Sequence, residues 1–226
     1  MVGTQGSLDV NAPAHRIGYT PAEELANSLT HGVGALLAVG GLAWLVTLAA
    51  IRGDAWHVVA CSVYGAAMVV LYTASTLYHA IPAPRVKRAL QVVDHAAIFL
   101  LIAGTYTPFT LVSLRGPWGW SLFGTVWGLA ALGIVLEVAF PRRWPGLSLA
   151  LYVAMGWVAV VAVKPILGAL EPGGLVLMLL GGLAYTGGIG FYAWRRLPYH
   201  HAVWHLFVLA GSALHFAAVL LYVVPA

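Results

Sequence analysis

Charged side chains are scarce in this 226-residue sequence: they make up only 8% of it, whereas hydrophobic residues make up 61%. A soluble domain carries roughly 25% charged residues and about half apolar ones. Such a small charged fraction cannot cover a domain that faces water, so it indicates a chain whose main solvent is lipid. We expect no nucleic-acid partner either, because the sequence has no basic run interleaved with surface aromatic residues.

Cysteine is almost absent, since Cys61 is the only one. A single cysteine excludes an intramolecular disulfide, and it says nothing about the redox compartment. The first residues also lack the basic region and apolar core of a cleaved signal peptide, so we expect insertion to depend on internal apolar segments. The last apolar segment has no lysine. That absence argues against a retinal Schiff base and a light-driven pump.

Long apolar segments are what the sequence has in abundance. About 20 apolar residues cross the hydrocarbon core of a bilayer. Seven segments are long enough, at approximately 28–51, 56–80, 90–113, 118–140, 146–165, 173–194 and 201–224. They lack the alternation of a barrel strand, so they predict an all-α fold, a seven-transmembrane helix bundle. We divide the chain into a polar, mobile N-terminal tail at 1–22 and a seven-helix membrane domain at 23–226. The pair Gly124 and Gly128, at GxxxG spacing, and a glycine cluster around Gly188 are expected to permit close helix packing.

Basic residues are unevenly distributed among the loops, and loops on the cytoplasmic side carry an excess of Lys and Arg. The tail and the second, fourth and sixth loops hold eight: Arg16, Arg85, Lys87, Arg88, Arg142, Arg143, Arg195 and Arg196. The first, third and fifth loops hold three: Arg52, Arg115 and Lys164. The bias predicts a cytoplasmic N-terminus and a C-terminus outside the cell.

Three histidines are expected to meet at the cytoplasmic end of this bundle. His201 and His205 lie four residues apart, which places them on one helix face, about 6 Å apart at their roots. His79 ends the second span, on the same side of the membrane. Three histidines and an open position are the composition of a catalytic zinc site. Because the cluster is rich in nitrogen, we predict Zn²⁺ rather than magnesium or calcium, with His79, His201 and His205 as its ligands.

Two more polar residues are expected near this site. Asp94 falls in the first turns of the third span, and a carboxylate so placed usually orients a ligand or the water. It could instead cap the third helix or offset the charge of Arg88. Ser75 lies one turn before His79, and its hydroxyl could simply bond back to a carbonyl of its own helix.

Other polar residues in the spans have simpler interpretations. His215 follows His201 by fourteen residues and lies about 21 Å deeper by helical rise, so it cannot bind the same ion. We expect it to pack or to form a hydrogen bond, and we expect a hydrogen-bonded or interfacial role for His57, His95 and His200. The role of Glu137, near the inner end of the fourth span, stays open.

Taken together, these motifs resemble the signature of the hemolysin III family, the bacterial branch of the progestin and adipoQ receptor superfamily. The motifs are Glu24-x2-Asn27-x3-His31, Ser75-x3-His79 with Asp94 downstream, and His201-x3-His205. The resemblance runs from Glu23 to Tyr222. It implies a multi-pass protein of the bacterial cytoplasmic (inner) membrane with a cytoplasmic N-terminus. It also implies that the three histidines hold zinc, that Asp94 contacts the metal-bound water and that Ser75 lies beside it.

The superfamily is linked to alkaline ceramidases, so the first hypothesis is zinc-dependent hydrolysis of lipid amides or esters, with membrane lipid as the substrate or ligand. Asp94 would accept a proton, and Ser75 would donate a hydrogen bond to the developing oxyanion. The alternative is a non-enzymatic sensor or regulator of membrane state with a structural zinc. A cytolytic hemolysin ranks lowest, since a chain with seven long apolar helices is hard to secrete. The roles of Glu24, Asn27 and His31, and the oligomeric state, stay open.

Overall fold

A computed structural model describes residues 18–225, which form helices with short connections and contain no strand. The helices are α1 (Pro21–Arg52), α2 (Ala55–Ala80), α3 (Pro84–Pro108), α4 (Pro117–Ala139), α5 (Pro145–Trp157), α6 (Val163–Ala169), α7 (Pro172–Ala193) and α8 (His200–Tyr222). Within the described residues, seven helical segments are long and apolar enough to cross a membrane, which confirms the predicted all-α, seven-span fold. Residues 1–17, most of the predicted tail, lie outside the described residues.

Helix α1 begins at Pro21, earlier than the predicted 28, because its start is set by polar capping. The Thr20 hydroxyl accepts a hydrogen bond from the Glu23 backbone N–H at 3.2 Å, and the Glu23 carboxylate accepts one from the Thr20 N–H at 2.8 Å. This reciprocal pair is a capping box, and proline suits the first helical position. The helix therefore begins two turns before its apolar segment, and these two turns include Glu24 and Asn27.

The fifth span is not one continuous α-helix as predicted. A 3₁₀ segment at Val158–Ala162 separates α5 from α6. Pro165, in the first turn of α6, has no backbone N–H to donate to the preceding turn, which explains the change of helix type. The third span ends in a π-helical segment, Phe109–Ser113, directly after Pro108.

Helices α1, α2 and α8 approach one another closely at Gly34. A Cβ atom added to Gly34 would lie 2.7 Å from Leu209 on α8 and 2.9 Å from Tyr72 on α2, so only glycine fits without a shift of these side chains. Helix α1 packs along both α2 and α8. In addition, α2 packs against α3, α3 against α4, and α8 against α7.

The predicted role of the other glycines is only partly correct. Gly188 packs against Trp204 and Phe207 of α8, as expected. By contrast, a Cβ atom added to Gly124 or Gly128 would meet nothing within 4 Å, so the expectation of close packing at this GxxxG pair is wrong within this chain. These two glycines lie on an exposed face of α4.

A group of hydroxyls holds α8 to α2 and α7 in the middle of the bundle. Tyr72 donates to the Ser212 hydroxyl at 2.6 Å, the Tyr185 hydroxyl lies 2.7 Å from the same oxygen, and Tyr64 donates to the Ser212 carbonyl at 3.3 Å. We term Tyr64, Tyr72, Tyr185 and Ser212 the hydroxyl cluster. Each of its hydroxyls has a hydrogen-bond partner, as buried polar groups generally require.

Candidate metal centre

The structure brings His79, His201 and His205 together where α2 ends and α8 begins, which we term the site end of the bundle. One ligand atom from each ring lies within 4.8 Å of the others, close enough for the three to share one ion. His79 comes from the last turn of α2, and the other two from the first two turns of α8. The i,i+4 spacing aligns the α8 pair, with ring centroids 4.5 Å apart.

Glu24 of α1 orients the His79 ring. Its Oε2 lies 2.6 Å from His79 Nδ1, so Nδ1–H donates to the carboxylate and Nε2 is left as the lone-pair atom. That Nε2 is buried and has no hydrogen-bond partner. A carboxylate behind a ligating histidine fixes its tautomer and raises its basicity. Lys87 Nζ, 3.0 Å from Glu24 Oε1, stabilises the charge of this carboxylate.

The next turn of α1 orients the His205 ring. His205 Nδ1 lies 3.1 Å from the Asn27 carbonyl oxygen and 3.1 Å from Thr30 Oγ1. Since the carbonyl can only accept, Nδ1 carries the proton, and Nε2 is the atom available to a metal. Helix α1 thus orients two of the three histidines of the cluster, although none of the three lies on α1. The role of Thr30 was not predicted, because threonine is common in membrane helices and also bonds back to its own helix, as Thr30 does to Ala26.

His201 is held by ring contacts rather than by hydrogen bonds at Nδ1, which is buried and has no partner. The Tyr19 ring lies 4.9 Å from the His201 ring and 5.9 Å from the His79 ring, measured between centroids. Tyr19 precedes the first turn of α1 and so covers the cluster at the site end. Burial raises the pKa of Tyr19, which keeps its phenol neutral. No pattern in the sequence predicted this contact.

Asp94 and Ser75 lie beside the cluster, on the side of α3. Asp94 is buried, with His95, His79 and Ser75 as its electrostatic neighbours. It stands well inside α3, whose N-terminus has no side-chain cap, so the alternative capping role is wrong. The Ser75 hydroxyl is close enough to Asp94 to interact, although no partner meets strict hydrogen-bond geometry. It therefore does not bond back to its own helix.

Other polar residues of the spans form separate groups. Glu137 Oε1 lies 3.2 Å from His95 Nδ1, and Glu137 Oε2 accepts a hydrogen bond from Ser148 at 3.2 Å. His215 Nε2 lies 3.0 Å from the Met178 carbonyl oxygen, in agreement with the hydrogen-bonding role expected for it. Neither residue reaches the three histidines.

The donor set fits a zinc ion. Three neutral imidazoles from two helices are ligands that zinc accepts, and magnesium or calcium would require oxygens instead. Two buried ring nitrogens in the cluster lack partners, and a metal ion would satisfy such atoms. Oriented histidines with a carboxylate and a carbonyl behind them are the usual support of a metal site.

Seven apolar spans, whose outward faces carry side chains as exposed as Leu36 at 77%, together with a buried histidine cluster at one end, define a multi-pass membrane protein with a candidate metal centre. Sequence comparison identifies the family. The family model described as "Haemolysin-III related" matches residues 19–216, and the chain belongs to this family, as its motifs predicted.

Two bacterial relatives are similar over nearly the whole chain. "Hemolysin-3" of Bacillus cereus is 49% identical over 203 residues, which cover 90% of this chain and 93% of the relative. "Hemolysin-3 homolog" of Bacillus subtilis (strain 168) is 46% identical over 206 residues, covering 91% and 97%. The human "Monocyte to macrophage differentiation factor" is 27% identical over 225 residues, covering 96% and 92%. The human protein links the chain to the progestin and adipoQ receptor superfamily.

Proposed function

We propose that this protein is a zinc-dependent hydrolase of lipid amides or esters in the bacterial cytoplasmic membrane. The observation that carries the proposal is the meeting of His79, His201 and His205, with unpartnered ring nitrogens, beside the buried carboxylate of Asp94. Polar and ionisable groups inside a membrane are costly to bury, and they are usually found at functional sites.

The residues divide the chemistry among them. Zinc, when bound by the three histidines, polarises a carbonyl and lowers the pKa of water to about 7. Asp94 takes the proton from the attacking water and later returns it to the leaving group. The Ser75 hydroxyl donates a hydrogen bond to the carbonyl oxygen as negative charge develops on it. Glu24, Asn27 and Thr30 hold the histidines so that their lone pairs face inward.

The position of the site suits a lipid substrate. The cluster lies within the last turn of α2 and the first two turns of α8, close to the ends of both spans. A substrate could present its carbonyl there while its acyl chains remain in the hydrocarbon layer. Among the described residues, seven basic ones lie in the loops and helix ends at this end of the bundle and three at the other, so we propose that the site lies at the cytoplasmic face.

The decisive experiment measures fatty acid released by purified, zinc-loaded protein from ceramides and from ester lipids. We expect release by the wild type, and in Asp94→Asn a rate lower by about 10²–10⁴-fold with zinc retained. Absence of release from every lipid, while a known hydrolase in the same detergent succeeds, contradicts the proposal. If zinc remains bound in that case, the ion joins α2 to α8 structurally, and a regulatory role replaces the enzymatic one.

A further inference from the structure

His31 stands out among the described histidines because both of its ring nitrogens are buried without a hydrogen-bond partner, and the residue is only 3% exposed. It lies on α1, one turn beyond Asn27. Its ring is stacked on the His205 ring with centroids 3.5 Å apart and planes 10° apart, and it meets Tyr72 edge-on at 5.0 Å.

The histidines that lie outside the cluster show how unusual this is. In the described part of the chain, four of them place a ring nitrogen within 3.2 Å of an oxygen: His57, His95, His200 and His215. If His31 only filled space, a phenyl ring would do so without burying unpaired nitrogens. Buried polar groups without partners are rare and call for an explanation, such as a group that binds there.

The stacking geometry excludes His31 as a fourth ligand of the same ion. The lone pair of an imidazole nitrogen lies in the plane of its ring. The two rings are nearly parallel and 3.5 Å apart, so their lone pairs lie in two separate planes, and one ion about 2 Å from each nitrogen cannot lie in both planes. His31 adjoins the metal ligands without being able to join them.

We propose that His31 is a binding residue for the polar group that occupies the open position of the metal centre, an inference that rests on the proposed function. A neutral imidazole offers one hydrogen-bond donor and one acceptor. It therefore suits an uncharged group that combines both, such as the amide or hydroxyl of a lipid. In this role a ring nitrogen finds its partner in the bound molecule, and the ring face packs on His205.

The test compares His31→Phe, which keeps a flat ring without nitrogens, with His31→Gln, which keeps a donor and an acceptor without the ring. Zinc content is measured first. Acetohydroxamic acid, a small metal-binding amide, is then titrated into the cobalt-loaded protein and followed by its visible spectrum. We expect unchanged metal content, affinity for the probe about tenfold weaker in the Phe variant, as for one lost hydrogen bond, and partial recovery in the Gln variant.

Two results overturn the inference. If the Phe variant binds the probe as tightly as the wild type, the ring only packs. If the Phe variant loses the metal as well, His31 is a ligand after all. Thermal unfolding of the metal-free variants identifies a folding defect, in which case the Gln variant alone decides. Failure of the proposed function is distinct, since then the wild type itself binds no metal or releases no fatty acid.

Discussion

The histidine cluster and the hydroxyl cluster are both groups of buried polar residues that join α2 to α8, but they differ in whether their polar atoms have hydrogen-bond partners. In the hydroxyl cluster, every hydroxyl of Tyr64, Tyr72, Tyr185 and Ser212 has a partner within the protein. In the histidine cluster, His79 Nε2 and His201 Nδ1 have none, and neither nitrogen of nearby His31 has one. A buried polar group with partners stabilises a fold, whereas an equally buried group without partners calls for a ligand.

Removal of a single imidazole should have the largest effect. We expect His201→Ala to weaken zinc binding by more than about 100-fold, because a metal ligand is lost rather than one of its supports. The measurement is zinc content and affinity by competition with a chelator. The neighbouring His200, whose Nδ1 already lies 3.2 Å from the Phe191 carbonyl oxygen, is the matched control. If His200→Ala lost as much zinc as His201→Ala, the prediction that only the histidines with unpartnered ring nitrogens bind the metal would be contradicted.

Substitution of a residue that orients a metal ligand should weaken zinc binding less than loss of the ligand itself. Glu24→Gln removes the charge that accepts from His79 Nδ1, and we expect zinc affinity to fall by about 10–100-fold. Glu23→Gln is the control, because Glu23 caps α1 and binds the backbone N–H of Tyr199 rather than a ligand. If Glu24→Gln binds zinc as the wild type does, the carboxylate is only an ion-pair partner of Lys87.

In the hydroxyl cluster the effect should appear in stability alone. Ser212→Ala removes the hydroxyl that Tyr72 and Tyr185 share, and buried hydrogen bonds in membrane helices contribute about 0.6 kcal/mol on average and at most about 1.7. We expect a loss of this size in the free energy of unfolding, with unchanged zinc affinity. Thr105→Val, which removes a buried hydroxyl bonded only to its own helix, should change less. A Ser212→Ala protein with impaired zinc binding would show that the clusters are coupled.

The smallest effect concerns a polar pair outside both clusters. The hydrogen bond from His57 lowers the pKa of Asp54, which also caps α2. A carboxyl with a lowered pKa stabilises the fold above its ordinary value near pH 4, and this contribution is lost as the pH falls through the lowered value. Asp54→Asn keeps the cap but cannot titrate. Thermal unfolding between pH 3 and 6 should show a shallower acid dependence in the variant; identical profiles would contradict this.

Much of the fold can be predicted from the lengths of the apolar segments alone, and the errors of that prediction have local causes. The seven spans were predicted correctly because about 20 apolar residues have few alternatives. The start of α1 was placed too late because the capping box at Thr20 and Glu23 is polar. The division of the fifth span escaped prediction because Val158–Ala162 is apolar throughout, and Pro165 stands at the predicted end of the span.

The candidate site was predictable where its geometry is local. The spacing of His201 and His205 fixes a common face, and the loop order places His79 on the same side. The contacts of Thr30 with His205 and of Tyr19 with His201 join residues more than 170 positions apart, and no local pattern encodes such pairings. The motif of Glu24, Asn27 and His31 was visible in the sequence, but only the structure places it behind the rings.

The close approach of α1, α2 and α8 at Gly34 bears on how molecules can reach and leave the histidine cluster. Gly34 lies one turn beyond His31, where Leu209 and Tyr72 leave no space for a methyl group. Helices α1, α2 and α8 therefore pack tightly against one another one turn from His31. We infer that molecules which reach it leave on the side from which they came, as in a blind cleft and not as in a conduit.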